Sequence, residues 1–286
     1  KGRDATWLEL KDLISVLPYP VSFAIQKYLS CAMADPSQMV ACARQAFEAM
    51  LAFAAYVATA ELSTTGEVSD IFKGYTQRSM GPLKNLIKDC QQKMRKKAVF
   101  SGAFKKIVID YLEDMNQAID QLTAHKHDSI SSLKVDIHQQ LICLANICKE
   151  AVSGRVFGYV EQCNSHRFKR GIYEGIIREA IDSQPFVSAV RFTSSVQLLK
   201  NELLLIDTSS GRAITLFPLY YVNECNDRSS GVNINVFDKD DKGVCKFKSV
   251  DNDTRTDAES EIAQAIADMK TDGHRAEVFN ITIEEM

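Results

Sequence analysis

Apolar residues at helical spacing open the chain. Trp7, Leu10, Leu13, Ile14 and Leu17 recur every three or four positions, and Pro18 and Pro20 end the run. Val21 to Ala34 gives a second helix, with Phe23, Ile25, Tyr28 and Leu29 on its inner side. The next stretch, Pro36 to Leu62, is the one around which the rest has to be arranged. Asp35 can cap it, Pro36 suits the first helical position, and Glu48 is the only charge between Ala46 and Ala60. A helix apolar on every side must be wrapped by others. Its apolar run of about 15 residues is shorter than the ~20 a bilayer requires, so it reads as the central helix of a bundle.

The helical period resumes after a turn at 63–67 and a short helix within 68–75. One helix runs from Ser79 through Leu83, Leu86, Ile87 and Cys90 to Lys97, its last turns rich in cations. Another starts at Ser101 or Gly102, with Phe104, Ile107, Val108, Tyr111, Leu112 and Met115 in register, and a third covers Asp128 to Val152. Helical spacing is read on through Arg155–Glu161 and Gly171–Ile181. From there the pattern turns to β-type runs at Ala189–Phe192, Leu203–Ile206, Ala213–Val222, Val232–Phe237 and Val244–Ser249, separated by turn signals at 207–211, 226–231 and 238–243. Asp257 to Met269 is a last amphipathic helix, and Phe279, Ile281 and Ile283 a last strand. The expected fold is α+β: an all-helical bundle over residues 1–185, then a module at 186–286 made of a small antiparallel β-meander with a C-terminal helix.

Composition adds little to that picture. With 286 residues, 45% hydrophobic and 25% charged, the chain can build a sizeable core unaided. A net charge of -3 and a pI near 6.0 speak against a dedicated nucleic-acid binder and leave room for a local basic patch. The eight cysteines form no CxxC and several fall on apolar helix faces. No secretory apolar segment precedes them, so reduced thiols in a cytoplasmic protein are expected. The abrupt start at KGRDATW, without an initiator Met, and the abrupt end at EEM read as a fragment of a longer protein.

Most chemical signatures are missing from the sequence. It has no GxxxxGK[ST] or GxGxxG cradle and no GxSxG, HExxH or Cys/His catalytic pattern. His125 and His127 are too close to share a helix face and read as part of a solvated turn. His138 reads as a partly buried or surface histidine. Cys225 and Cys245 each lack the second thiol of a zinc knuckle. Asp238–Gly243 lacks the spacing and closing Glu of a calcium loop and reads as a polar hairpin tip. No metal or cofactor is expected. The one concentrated stretch is CNSHRFKRG, Cys163 to Gly171, with His166, Arg167, Lys169 and Arg170 at a junction between two helices. Arg and Lys there suit phosphate, and a histidine can act as acid or base. One histidine without a visible partner does not make a catalytic site. The four residues are therefore candidates for binding an anion or nucleic acid, and no catalytic residue is assigned.

Four elements in order carry a resemblance. Pro20, Val21, Phe23, Ala24, Ile25, Tyr28 and Leu29 precede the Ala-rich run Met39–Leu62. Ser79, Met80, Gly81, Pro82, Leu83 and Leu86 follow, then Ser165 to Gly171. Last comes Gly211, Arg212, Ile214, Leu216, Pro218, Leu219, Tyr220, Tyr221, Val222, Asn223, Glu224 and Cys225. This order resembles a helical module of large bacterial signalling and defence proteins, related to the HEPN superfamily and usually followed by a small β module. In active HEPN ribonucleases an R-N-R-F-x-H-G element supplies an Arg and a His. Here Ser165 and Arg170 hold those places, and His166 takes the place of the asparagine. A second cysteine found after Cys225 in some relatives is also missing. The resemblance thus implies architecture without the catalytic pair. The expected role is a non-catalytic sensory or protein-interaction module of a larger bacterial signalling or defence protein. Its partner would be a protein or a fused effector domain, a homodimer is allowed, and no membrane partner is expected. The alternative is a diverged, metal-independent HEPN-type ribonuclease, or an RNA- or nucleotide-binding module, using residues 165–171.

Overall fold

In the computed structural model, residues 2–34, 38–94, 98–124, 130–184, 186–224, 231–252, 254–271 and 278–284 are described. The period-3.6 stretches form α1 (Gly2–Ile14), α2 (Tyr19–Ala34), α3 (Met39–Ser63), α4 (Ser69–Phe72), α5 (Met80–Met94), α6 (Lys105–Ile109), α7 (Leu112–Ala124), α8 (Ile137–Val152) and, late in the chain, α9 (Ser260–Lys270). The strands are β1 (Arg155–Ser165), β2 (Tyr173–Glu179), β3 (Ala189–Ser194), β4 (Leu203–Asp207), β5 (Arg212–Thr215), β6 (Tyr220–Glu224), β7 (Val232–Asp241), β8 (Val244–Ser249), β9 (Arg255–Asp257) and β10 (Val278–Glu284). The architecture is mixed α+β, helices first and antiparallel sheet afterwards, with α9 near the C-terminus.

α3 is the axis of the helical part. Every residue from Met50 to Ser63 is buried, so its length and apolarity, sufficient for a membrane span, are spent inside the protein. α2, α5, α7 and α8 pack around it. Three side chains on α3 reach out of the bundle. Phe53 meets Phe104 and the β1 residue Phe157 edge to face, at 5.9 and 5.6 Å. Tyr56 donates its hydroxyl to the carbonyl of Phe237 on β7 at 2.7 Å and shares a hydrogen bond with Tyr75 at 3.0 Å. Glu61 accepts from the amides of Val99, Phe100 and Ser101 at 2.5, 2.9 and 2.8 Å and from the Ser101 hydroxyl at 2.6 Å. The carbonyls of Val99 and Phe100 in turn accept from Arg155 at the head of β1, at 2.6 and 3.0 Å. Arg155 also donates to Ala151 and lies 3.7 Å from Asp207 at the end of β4.

The strands form two sheets. A closed barrel runs β1-β2-β3-β10-β5-β4, and a meander runs β6-β7-β8-β9. Val156, Val160, Ile177, Phe192, Leu204 and Ile206 fill the barrel, while Phe157, Tyr159, Leu203 and Leu205 join the core of the helices. Two glycines permit this closure. A Cβ on Gly158 would strike the backbone of Arg178, and one on Gly175 would strike the backbone of Gln162 and come within 2.7 Å of the Phe192 ring. The helical core continues through the meander by way of Tyr220, Ile234, Val236, Phe237 and Phe247, and α9 packs on α4 and β8.

Several expectations are corrected. Helix gives way to strand at Gly154 rather than at 185: Arg155–Glu161 and Gly171–Ile181 lie in β1 and β2 and their flanks. The first half of β1 is buried on both faces, so it shows no alternation and its apolar residues mimic a helical stripe. Gly154, at φ +68°, closes α8 and was the available signal. The run Ala213–Val222 is split between the barrel and the meander, because Pro218 cannot continue a ladder. The helix expected from 101 through Met115 breaks at Asp110–Tyr111. The helix expected from Asp128 starts at Ile137, where Asp136 caps it by accepting from the Gln139 amide at 3.1 Å. Cys31 and Cys42 are joined in a disulfide instead of being reduced: α2 packs against α3 and their Cα atoms lie 6.8 Å apart. Cys90, Cys143, Cys148, Cys163 and Cys245 are free thiols. Asp35, Pro36, Arg95, Lys96, Lys97, His125, His127 and Cys225 lie outside the described residues.

Two stability predictions follow from the α3 contacts. Phe53→Ala is expected to cost about 3–5 kcal/mol through the cavity it leaves. Glu61→Ala is expected to cost roughly 3–5 kcal/mol, because it strands buried amides, while Glu67→Ala on the exposed turn stays within about 0.5 kcal/mol. Denaturant unfolding checks all three. A pH scan adds a third. The Ser209 hydroxyl and Ser210 amide hold the Asp207 carboxyl down at about 2, with Arg155 assisting. A depressed value stabilises the fold fully above the unfolded value of about 4, and the gain is lost as pH falls toward about 2. Asp207→Asn should flatten that acid limb of the stability curve.

Candidate functional site at a basic hairpin

The run from His166 to Arg170 occupies the tip between β1 and β2, not a junction between helices. Ser165 pairs with Tyr173 as the last rung, and the amide of His166 donates to the carbonyl of Ile172 at 2.8 Å. Gly171, at φ +75°, turns the chain back, and the Ile172 amide donates to Lys169 at 3.2 Å. A bulge at Glu161 interrupts the β1–β2 register. β1 pairs with β4 only as far as Tyr159, so the outer half of the hairpin extends beyond β4.

His166 holds the tip together. Its Nδ1 accepts from the amides of Phe168 and Lys169 at 3.1 and 3.2 Å. That nitrogen carries no proton, so the ring proton sits on Nε2, which lies 3.9 Å from Glu174. A lone pair engaged by two backbone donors is not available to take a proton from a substrate. Arg167, Phe168, Lys169 and Arg170 are all exposed, Phe168 to 82%, and the Arg167 guanidinium lies 5.3 Å from the Phe168 ring centre. The structure thus brings the four candidate residues together, three as projecting cations and His166 as the scaffold. Sequence reasoning passed over Phe168, whose exposure depends on its place at a hairpin tip.

Several other polar groups are matched internally. Tyr28 bonds His138 Nδ1 at 2.9 Å, under the ring of Trp7, and burial pushes the Tyr28 phenol well up. Buried Asp238 takes Arg255 at 2.7 Å and lies 3.7 Å from Arg78. In the run Asp238–Gly243, Asp240 pairs with Lys270 and accepts from the Gly243 amide at 2.8 Å, which makes it a polar hairpin end. No cluster of metal-ligating side chains occurs among the described residues. A cleft of about 1190 Å³ lies between α3, α4, α5 and the barrel. Its charges are mixed, with Lys93 on Asp70 at 3.3 Å, and the Glu61 carboxylate at its wall is taken up by backbone amides.

Set against protein-family models, curated proteins and solved structures, the chain matches none of them. The reading of its function therefore rests on its own residues.

The scaffold role of His166 has a direct check. In His166→Ala the amides of Phe168 and Lys169 lose their acceptor, and their hydrogen exchange should accelerate about tenfold, one ordinary hydrogen bond's worth. Exchange in β1 at Phe157 should stay as it is.

Proposed function

We propose that this chain is a non-catalytic interaction module of a larger signalling or defence protein, and that the β1–β2 tip is its contact element for an anionic partner surface. The observation that carries this reading is the tip itself: three exposed cations and an exposed aromatic ring, with Arg167 beside the ring, on a loop held by His166. The kinship with HEPN-type modules is part of the proposal and rests on the order of four sequence elements, the first two of them in the helical half. The ribonuclease alternative is the weaker one. The family's element opens a helix, whereas residues 165–171 here turn a β-hairpin, and the one histidine spends its acceptor nitrogen on the backbone.

Two measurements test the reading. Single-stranded RNA incubated with the purified protein should remain intact; metal-independent cleavage that disappears in His166→Ala would establish the ribonuclease. On a heparin column the protein should be retained in a salt-dependent manner, and Arg167→Ala with Arg170→Ala should elute at markedly lower salt with an unchanged Tm, since exposed charges add little to stability. Equal elution of the two proteins would remove the tip as contact element.

A further inference from the structure

The barrel end that carries the 166–172 tip also carries the loop between β3 and β4. Ser194 at the end of β3 pairs with Tyr173, Leu203 at the start of β4 pairs with Tyr159, and the Asn201 amide donates to Val160 at 2.8 Å. Leu198 of this loop plugs the barrel, 3% exposed, while its neighbour Leu199 projects and is 72% exposed. Phe168 and Leu199, 31 positions apart in sequence, thus crown two loops of one barrel end.

The charges at this end sort in one direction. Glu161 pairs with Arg178 at 3.0 Å, Glu224 with Lys200 at 2.6 Å, and Glu202 accepts from the Leu199 amide at 3.2 Å. Glu174 lies against His166. The charges named at this end nearly balance, and the positive excess lies on the tip, where Arg167, Lys169 and Arg170 have no ion pair with a described residue. An anionic partner fits the cations of the tip, and it must also cover two separate apolar tips. A nucleic-acid strand satisfies the cations and could stack on Phe168, but it has nothing for an aliphatic Leu199. An anionic lipid surface satisfies both: its headgroups attract cations, and its interface accepts apolar side chains.

We propose that this barrel end docks on the surface of anionic phospholipid bilayers. Phe168 and Leu199 enter the headgroup layer, and Arg167, Lys169 and Arg170 meet lipid phosphates. The proposal rests on the barrel end being the contact element. This departs from the expectation of no membrane partner; α3, apolar enough to span a bilayer, is buried and takes no part in it.

The test is co-sedimentation with vesicles of phosphatidylcholine, with and without phosphatidylserine. The protein should bind only the phosphatidylserine vesicles, and salt should weaken binding. Arg167→Ala with Arg170→Ala should lower the affinity about 25-fold, about fivefold for each charge near an anionic leaflet. Phe168→Ala and Leu199→Ala should each lower it about tenfold. Each variant should keep the wild-type Tm. Phe168→Trp should give a blue-shifted emission on these vesicles, quenched by brominated acyl chains, over the constant signal of half-buried Trp7. Binding to vesicles that the four substitutions leave unchanged would overturn the proposal. No vesicle binding, with tip-dependent heparin retention and Phe168-dependent binding of polyuridylate, would assign the site to single-stranded nucleic acid instead and leave the contact element standing. Loss of both activities' dependence on the tip would remove the contact element as well.

Discussion

A buried carboxylate sets the terms of this structure. Glu61 sits near the end of the most apolar helix, where an unpaired charge would be very costly. Three consecutive amides and a hydroxyl satisfy it. The same peptide units turn their carbonyls to Arg155, and Arg155 approaches Asp207. Burial draws the Arg155 guanidinium down from its usual value, and the Asp207 and Glu61 carboxylates oppose that shift. One relay thus links α3, the segment before α6, the first barrel strand and the fourth. Removing any member strands the next, which is why its worth exceeds that of a surface pair. Tyr56, one and a half turns earlier, makes the matching connection to the meander through Phe237.

That relay bears on function because it makes the barrel a fixed extension of the bundle. Three polar sites in the interior are matched within the protein: Tyr28 with His138, Asp238 with Arg255, Glu61 with its amides. The tip differs. Its histidine is matched, and its cations and its phenylalanine are turned outward. A basic loop preorganised by its histidine pays little ordering cost on contact.

The helical half was largely legible in the sequence because its apolar residues keep one period. Ala46–Ala60 read as a wrapped helix with a membrane span as its rival, and α5 and α9 appear close to where their patterns put them. The barrel was half legible. β4 and β7 stand out as short β-branched and Leu-rich runs, but β1 and β2 do not. Val156, Phe157, Tyr159 and Val160 are buried on opposite faces, and their spacing imitates a helix. The basic cluster was visible as composition, while its meaning depended on that misread segment. Phe168 gains its exposure, and Leu199 its neighbourhood, only once the barrel closes and brings two loops to one end. No local pattern encodes that proximity. The Cys31–Cys42 pairing was hidden for the same reason, since it depends on two helices folding back on each other.

The central claim is that helices, barrel and meander form one cooperative body fastened through α3. Native-state hydrogen exchange tests it most directly. Amides in the middle of α3, the amide of Ala180, which donates to Phe157 on β1 at 2.8 Å, and the amide of Phe237 on β7, which donates to Leu219 at 2.9 Å, should exchange through a single opening. Its free energy should equal that of global unfolding, and its denaturant dependence should be the same at all three places. Strand amides that exchange through a smaller opening, while α3 keeps full protection, would contradict the account.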